Sequence, residues 1–271
     1  MLATATRTKP ITIRRDVPVE VRISAEEIHN GRDVTAAELP YTPREYIELI
    51  VALLENHAIG EGFILKDEVY ARWATDAPTT EDRFMVLRTI EEELMHAREG
   101  WRMLREIDEM FESIDIVPYD FRARGSNLEG FTHPVTEWAE HAALCTLTDR
   151  VGVFQQEEQL DCSYIPYAES IKTAFFPVEK GHAARGRLWL RRLCETPEGK
   201  AKAQAAVNIW WPRALDMFGR SKTSRQHRYI YYRLKKRTNE ERRQAYISTL
   251  PGELAELGLT VPDHTIGRKF L

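Results

Sequence analysis

Two Glu-x-x-His tetrads, Glu93-Leu94-Met95-His96 and Glu179-Lys180-Gly181-His182, each sit deep inside a stretch of helical periodicity. Residues three apart on a helix share a face, so each tetrad aims one carboxylate and one imidazole at a single point. Charged and polar groups inside a helix pair are costly unless they meet one another or a cation. With eight histidines in the chain, about one such tetrad is expected by chance. A third copy does occur, Glu26-Glu27-Ile28-His29. It lies on no long helix and is read as coincidence that binds no metal.

The grammar around the tetrads is helical almost throughout. Thr42-Pro43-Arg44-Glu45 offers a cap, a first-turn proline and a capping glutamate. Ile47, Ile50, Val51, Leu54, Ala58 and Ile59 follow at helical spacing, predicting a first helix to about Trp73. Thr79 caps a second, which carries the first tetrad and runs to about Phe111. After a long connection, Glu112–Thr132, a third helix is expected from His133-Pro134. A break at Ser163-Tyr164-Ile165-Pro166 opens a fourth, which carries the second tetrad through Leu193. Thr196-Pro197-Glu198 and Thr238-Asn239-Glu240-Glu241 cap two trailing helices, ending near Phe218-Gly219 and before Pro251-Gly252. The organisation read from this is an arm over 1–40, a four-helix core over 41–195 and trailing helices over 196–271. The arm shows short strand-like alternation at Ile11–Ile13 and Val19–Ile23.

A net charge of −4 argues against a nucleic-acid binder. Arg220–Arg243 is nonetheless rich in Lys and Arg, interleaved with Tyr229, Tyr231 and Tyr232, and reads first as a solvated helix face. A docking face for an anionic substrate or acidic partner is the sharper reading of that stretch. No apolar run approaches the roughly 20 residues of a membrane span, and Met1–Arg15 lacks the apolar stretch of a signal peptide. Three cysteines, Cys145, Cys162 and Cys194, form an odd set without metal-ligand spacing. A reduced, cytoplasmic setting with buried thiols is expected.

Paired Glu-x-x-His helices belong to the all-α, ferritin-like di-iron bundle, which also needs one acid from each of the other two helices. The first helix offers Glu61, within His57-Ala58-Ile59-Gly60-Glu61-Gly62, and the third offers Asp149, within Leu147-Thr148-Asp149-Arg150-Val151. Glu55, Glu140 and Glu157 rival them by spacing alone, and Glu92 rivals Glu93, being four residues from His96. His57 lies one turn before Glu61 and reads as a supporting residue rather than a ligand. Pro177, two residues before Glu179, reads as a kink near that ligand.

From Tyr46 to His264 the chain resembles the phenylacetyl-CoA epoxidase catalytic subunit family, di-iron ring-hydroxylating oxygenases of phenylacetate catabolism. The likeness rests on His57–Glu61, Ile90–His96, Trp138-Ala139 followed by Asp149, and Glu179–His182. It rests also on Trp210–Gly219, Lys236–Gln244 and Leu257–Asp263, which no metal chemistry dictates. The resemblance implies two iron ions held by Glu61, Glu93, His96, Asp149, Glu179 and His182, with the four carboxylates as the catalytic set. Glu93 and Glu179 would bridge and the histidines would be terminal. It implies O2 as co-substrate, electrons from a separate reductase, a small aromatic or acyl substrate that includes CoA thioesters, and a sister subunit or second copy as partner. N-oxygenation, desaturation and oxidative cleavage keep the same metals. A scaffold subunit would have lost ligands, and an iron store fits the resemblance less well.

Overall fold

A computed structural model describes residues 18–62, 67–111 and 129–270. Among them every regular element is helical, apart from an isolated parallel bridge between Val34 and Tyr164. The helices are α1 (Ala25–His29), α2 (Arg44–Glu61), α3 (Trp73–Asp76), α4 (Thr80–Phe111), α5 (Trp138–Glu157), α6 (Ile165–Ser170), α7 (Phe176–Leu193), α8 (Pro197–Asp216), α9 (Ser224–Tyr231) and α10 (Asn239–Ala255). The architecture is a ferritin-like bundle: α2 packs along α4, and α5 lies between α7 and α8.

Local chemistry explains where these elements start. Thr79 accepts from the Asp82 amide ahead of α4, Thr196 from Gly199 ahead of α8, and Thr238 exchanges bonds with Glu241 ahead of α10. Ile47, Ile50, Val51, Leu54 and Ala58 bury the inner stripe of α2. Glycine sets the closest approaches. A Cβ on Gly186 of α7 would stand 2.4 Å from the Thr146 amide nitrogen of α5, so only glycine permits that crossing.

Several boundaries differ from expectation. The first helix ends at Glu61 rather than near Trp73, with Gly60 and Gly62 weakening its last turn. The chain resumes as a π turn over Asp67–Ala71 and then the short α3. α5 begins at Trp138, not at His133-Pro134, because Thr136 grips the Glu140 carboxylate and closes the first turn there. The fourth helix is interrupted by a π turn at Ile171–Phe175, directly before Pro177 in the first turn of α7. α10 runs through Pro251, since Tyr246, Leu250 and Leu254 stay buried along one face.

The arm forms no strand at Val19–Ile23: Arg22 and Ile23 both donate to the Tyr41 carbonyl, and α1 follows. Ile11–Ile13 lie outside the described residues. The basic stretch is not a simple solvated face either. Arg243 is fully buried and donates to the Leu215 carbonyl, Arg242 is 2% exposed, and Arg228, Arg233 and Arg237 pair with Glu45, Asp33 and Glu158.

Apolar packing forms two blocks. One gathers α3, α5, α8 and α10 around Leu144, Trp211 and Tyr246; the other gathers α2, the second half of α4 and α6 around Leu54, Leu104 and Tyr167. Polar groups of α2, α4, α5 and α7 meet between them.

Candidate metal centre

Among the described residues, α2, α4 and α7 bring acidic side chains to a common point, and Asp149 of α5 lies outside that group. Glu61, Glu93, His96 and Glu179 place one potential ligand atom each within 4.8 Å of all the others. His182 stands against the same group, its Nδ1 2.9 Å from Glu93 Oε1 and 3.8 Å from Glu179 Oε2. His96 Nδ1 lies 3.4 Å from Glu93 Oε2 and 3.6 Å from Glu179 Oε1. Both tetrads therefore converge, as three-residue spacing demands. Asp149 is buried on α5 and shares a cavity wall with Glu61, Glu93 and Glu179.

The rivals fall elsewhere. Glu140 is held by Thr136, Glu157 is exposed beside Arg237, and Glu55 is buried but belongs neither to the cluster nor to the cavity wall. Glu92 does not join the cluster; it accepts from His182 Nε2 at 3.0 Å and from Arg185 at 2.6 Å. That bond fixes His182 with Nδ1 turned inward, the arrangement by which a carboxylate orients a ligating imidazole. Glu26 and His29 lie far along the arm, where His29 stacks on Tyr231 and its Nδ1 meets the Tyr231 carbonyl.

The supporting residues were the least legible ones. Tyr70, from the first π turn, donates to Asp149 Oδ2 at 3.2 Å. Phe175, from the second, packs edge-on against His57 and His96 at 4.5 and 4.8 Å. Tyr167 gives its hydroxyl proton to Gln159, so His57 donates Nδ1–H to Tyr167 and presents an unprotonated Nε2 to Glu61 Oε1, 2.8 Å away. No spacing rule points to a tyrosine in a π turn. Gly152 leaves room for Glu179, whose Oε2 would lie 3.1 Å from any Cβ placed there.

Without a cation the cluster is neutralised by protons. Burial, then the neighbouring Glu93, Glu179 and Asp149 charges, holds Glu61 well above the usual carboxylate range. Burial and the Glu179 and Glu93 carboxylates likewise raise Asp149, against the pull of His182. Burial would lower His96, yet the Glu179 and Glu93 carboxylates beside it lift it to about 9. His182 is raised well above its usual value, its carboxylate partners overcoming burial. Glu93 is held well below by His182, with Glu61 and His96 adding to the pull, in spite of burial. His57 is pushed down to about 3 by burial and by His96, which keeps it neutral.

Glu93 Oε2, His96 Nδ1 and His182 Nδ1 are all buried without a hydrogen-bond partner. Orphaned donor and acceptor atoms aimed at one point are what a metal would satisfy. Hard carboxylates with imidazole suit iron or manganese rather than a soft-ligand metal.

Similarity to known proteins agrees with this reading of the bundle. A model of the family described as phenylacetic acid catabolic protein matches residues 37–269. The chain belongs to that family. A relative from Escherichia coli (strain K12), one of the subunits of its 1,2-phenylacetyl-CoA epoxidase, is 27% identical over 227 residues, covering 82% of this chain and 72% of that protein. The span matched by the family takes in the helices that carry Glu61, Glu93, Asp149 and Glu179 and also α8 to α10, where the sequence resemblance was most specific. No helix among the described residues is long and apolar enough to cross a membrane.

Proposed function

We propose that this chain is an O2-dependent di-iron oxygenase that inserts oxygen into an aromatic or acyl substrate. The observation that carries the reading is the set of three orphaned buried atoms, Glu93 Oε2, His96 Nδ1 and His182 Nδ1, converging from two tetrads beside Glu61, Glu179 and Asp149. Glu93 and Glu179 would bridge two metals, His96 and His182 would be terminal, and Glu61 and Asp149 would complete the set. The chemistry an iron pair supplies there is reductive activation of O2, with electrons drawn from a separate reductase.

The chain's own residues supply the rest. A cavity of about 350 Å³ adjoins the cluster, within the size range of small-molecule sites. Leu53, Phe131, Val151, Met217 and Phe218 give it an apolar side that seats a hydrocarbon. Lys235, Asn239 and Arg242 line it too, so a substrate with an apolar body and a polar or anionic handle fits. Tyr70 holds Asp149, Glu92 holds His182, and neutral His57, with Nε2 2.8 Å from Glu61 Oε1, orients the Glu61 carboxyl. The E. coli relative is named for phenylacetyl-CoA. Its reaction class carries over here, with an aromatic acyl thioester as the first substrate to try and, as the first partner, a sister subunit.

The test supplies 18O2 to reduced, iron-loaded protein with phenylacetyl-CoA and related thioesters and acids. Label in the product is expected. A product oxidised without label, with the oxygen recovered in water, would instead mark a desaturase or oxidase.

Two further outcomes follow from the site. Because His96, His182, Glu61 and Asp149 hold protons in the metal-free chain, metal must displace them. Ferrous loading in weak buffer at pH 7 should acidify the solution, and affinity should rise with pH as the His96 value near 9 is approached. Affinity independent of pH from 6 to 8 would contradict this. Glu92→Ala frees His182 to rotate and should weaken iron binding by about 10–100-fold, measured by competition with a chelator, while the helical circular dichroism stays unchanged.

A further inference from the structure

The cavity beside the carboxylate cluster holds two cations that, among the described residues, no carboxylate pairs with. Lys235, in the turn between α9 and α10, and Arg242, in the first turn of α10, both line it. Arg242 is 2% exposed; its Nη2 donates to the Asn239 side-chain oxygen, and its Nε is buried without a hydrogen-bond partner. Lys235 is half-buried, and its Nζ lies 4.9 Å from the centroid of the Tyr229 ring.

The acids near them are engaged elsewhere. Glu158 is the carboxylate whose charge acts on both cations. Its Oε1 lies 2.7 and 2.6 Å from Nε and Nη2 of Arg237, and its Oε2 accepts from the Lys236 and Arg237 amides at 2.9 and 2.7 Å. Four donors fill the lone-pair positions of a carboxylate. Glu240 is held by Arg243, Ser221 and Gln244. A buried charge without a partner is costly, and the cost is visible here. Burial, with Arg242 adding its repulsion, pushes Lys235 down to about 7, and burial pushes Arg242 down to about 10. No cluster carboxylate is among the charges that act on either cation, so the pair stands apart from the cluster. Glu61, Glu93, Asp149 and Glu179 nonetheless line the same cavity, together with its apolar side. An occupant therefore meets cations at one place, hydrocarbon along its body and the cluster at another.

We propose that Lys235 and Arg242 form a carboxylate-binding subsite, so that the substrate enters as a small free acid whose anion rests on this pair while its hydrocarbon body extends toward the cluster. A thioester carbonyl is uncharged and would leave both cations buried without an anion. The free acid brings the missing charge, and a cavity of about 350 Å³ takes a small aromatic acid whole. Asn239 fixes the Arg242 guanidinium and the Tyr229 ring backs the Lys235 ammonium. The anion's position then sets which carbon of the acid faces the cluster. This deepens the oxygenase reading and rests on it for the fate of the bound acid; the binding itself needs no metal.

The test is calorimetric titration of the metal-free full chain at pH 6, where carboxylic acids are ionised. Phenylacetate and 3-phenylpropanoate are compared with their neutral amides and with phenylacetyl-CoA. At least one acid should bind, and at least about 30-fold more tightly than its amide, the loss expected when a buried charge pair is broken from one side. Lys235→Met should erase most of that preference and leave the amide's affinity unchanged. It should also raise Tm of the unliganded chain, because an apolar side chain replaces an unpaired cation. Arg242→Met should act in the same direction on binding; if it does not fold, the half-buried Lys235 still carries the test. Equal affinity for acid and amide, no binding of either acid, or a preference that survives in Lys235→Met would overturn the subsite. So would a lower Tm in Lys235→Met, or phenylacetyl-CoA bound more tightly than either acid. Protein that binds the acids yet takes up no iron would sink the oxygenase reading and leave the subsite standing. Labelled product from a thioester, with no acid bound, would sink the subsite alone.

Discussion

Glu93→Ala is expected to take iron content from about two equivalents per chain, the stoichiometry of the dinuclear class, to near none. Glu93 makes closer contacts than Glu179 to both histidines, His182 Nδ1 at 2.9 Å against 3.8 Å and His96 Nδ1 at 3.4 Å against 3.6 Å, and it also meets Glu61. Its loss removes a carboxylate from the proposed metal set and also the anion that compensates two raised imidazoles. Breaking a buried ion pair from one side costs about 3–5 kcal/mol. The metal-free variant should therefore lose stability as well, and more so at low pH, where both imidazoles stay charged. Anaerobic ferrous loading followed by metal analysis reads the first effect, and urea titration at pH 6 and pH 8 reads the second. Glu140→Ala and Lys236→Ala are the controls, since Glu140 is engaged by Thr136 and Lys236 by Asp161. A Glu93→Ala chain that still holds two irons would move the metal site elsewhere.

Why Glu93 was legible and Tyr70 was not is a matter of periodicity. A tetrad on a helix carries its own geometry, because 3.6 residues per turn fix where positions three apart point. That rule separated Glu93 from Glu92, and the structure gives them different work: one faces the cluster, the other clamps His182 from behind. Glu61 and Asp149 were harder, because a single acid in an apolar helix has no spacing to recommend it over Glu55 or Glu140. What distinguishes them is tertiary. Both open onto the cavity between the two apolar blocks, and that cavity exists only once four helices are assembled.

The helix boundaries failed where local signals competed with packing. Capping residues placed the starts of α4, α8 and α10 well, since a cap is a local hydrogen bond. The two π turns were invisible, because an added residue in a turn leaves the composition unchanged. Both lie beside the site, and both deliver an aromatic ring to it, Tyr70 in one case and Phe175 in the other. In the basic stretch the same charge pattern fits a solvated face and a set of internal struts. Only the burial of Arg242 and Arg243 decides between them.

The crossing of α5 and α7 provides the sharpest test of the packing argument. Gly186→Ala places a methyl 2.4 Å from the Thr146 nitrogen and 2.6 Å from the Cys145 carbonyl carbon, both backbone atoms that cannot rotate away. The helices must separate, and α5 carries Asp149 while α7 carries Glu179 and His182. Overpacking of this kind costs about 3 kcal/mol, which for a chain of this size lowers Tm by roughly 6–12 °C. Iron affinity should fall with it, because the same shift pulls two tetrad ligands away from Asp149 and Glu93. Gly181→Ala is the opposite case. It lies on the same helix inside the tetrad, yet its new methyl meets only Arg185 Nη1, at 3.6 Å. Replacing a helical glycine there should raise stability by up to about 1 kcal/mol. A pair of thermal melts with opposite signs is therefore expected from two glycines five residues apart. Equal, small shifts in both would mean that α5 and α7 are not in the contact that builds the site.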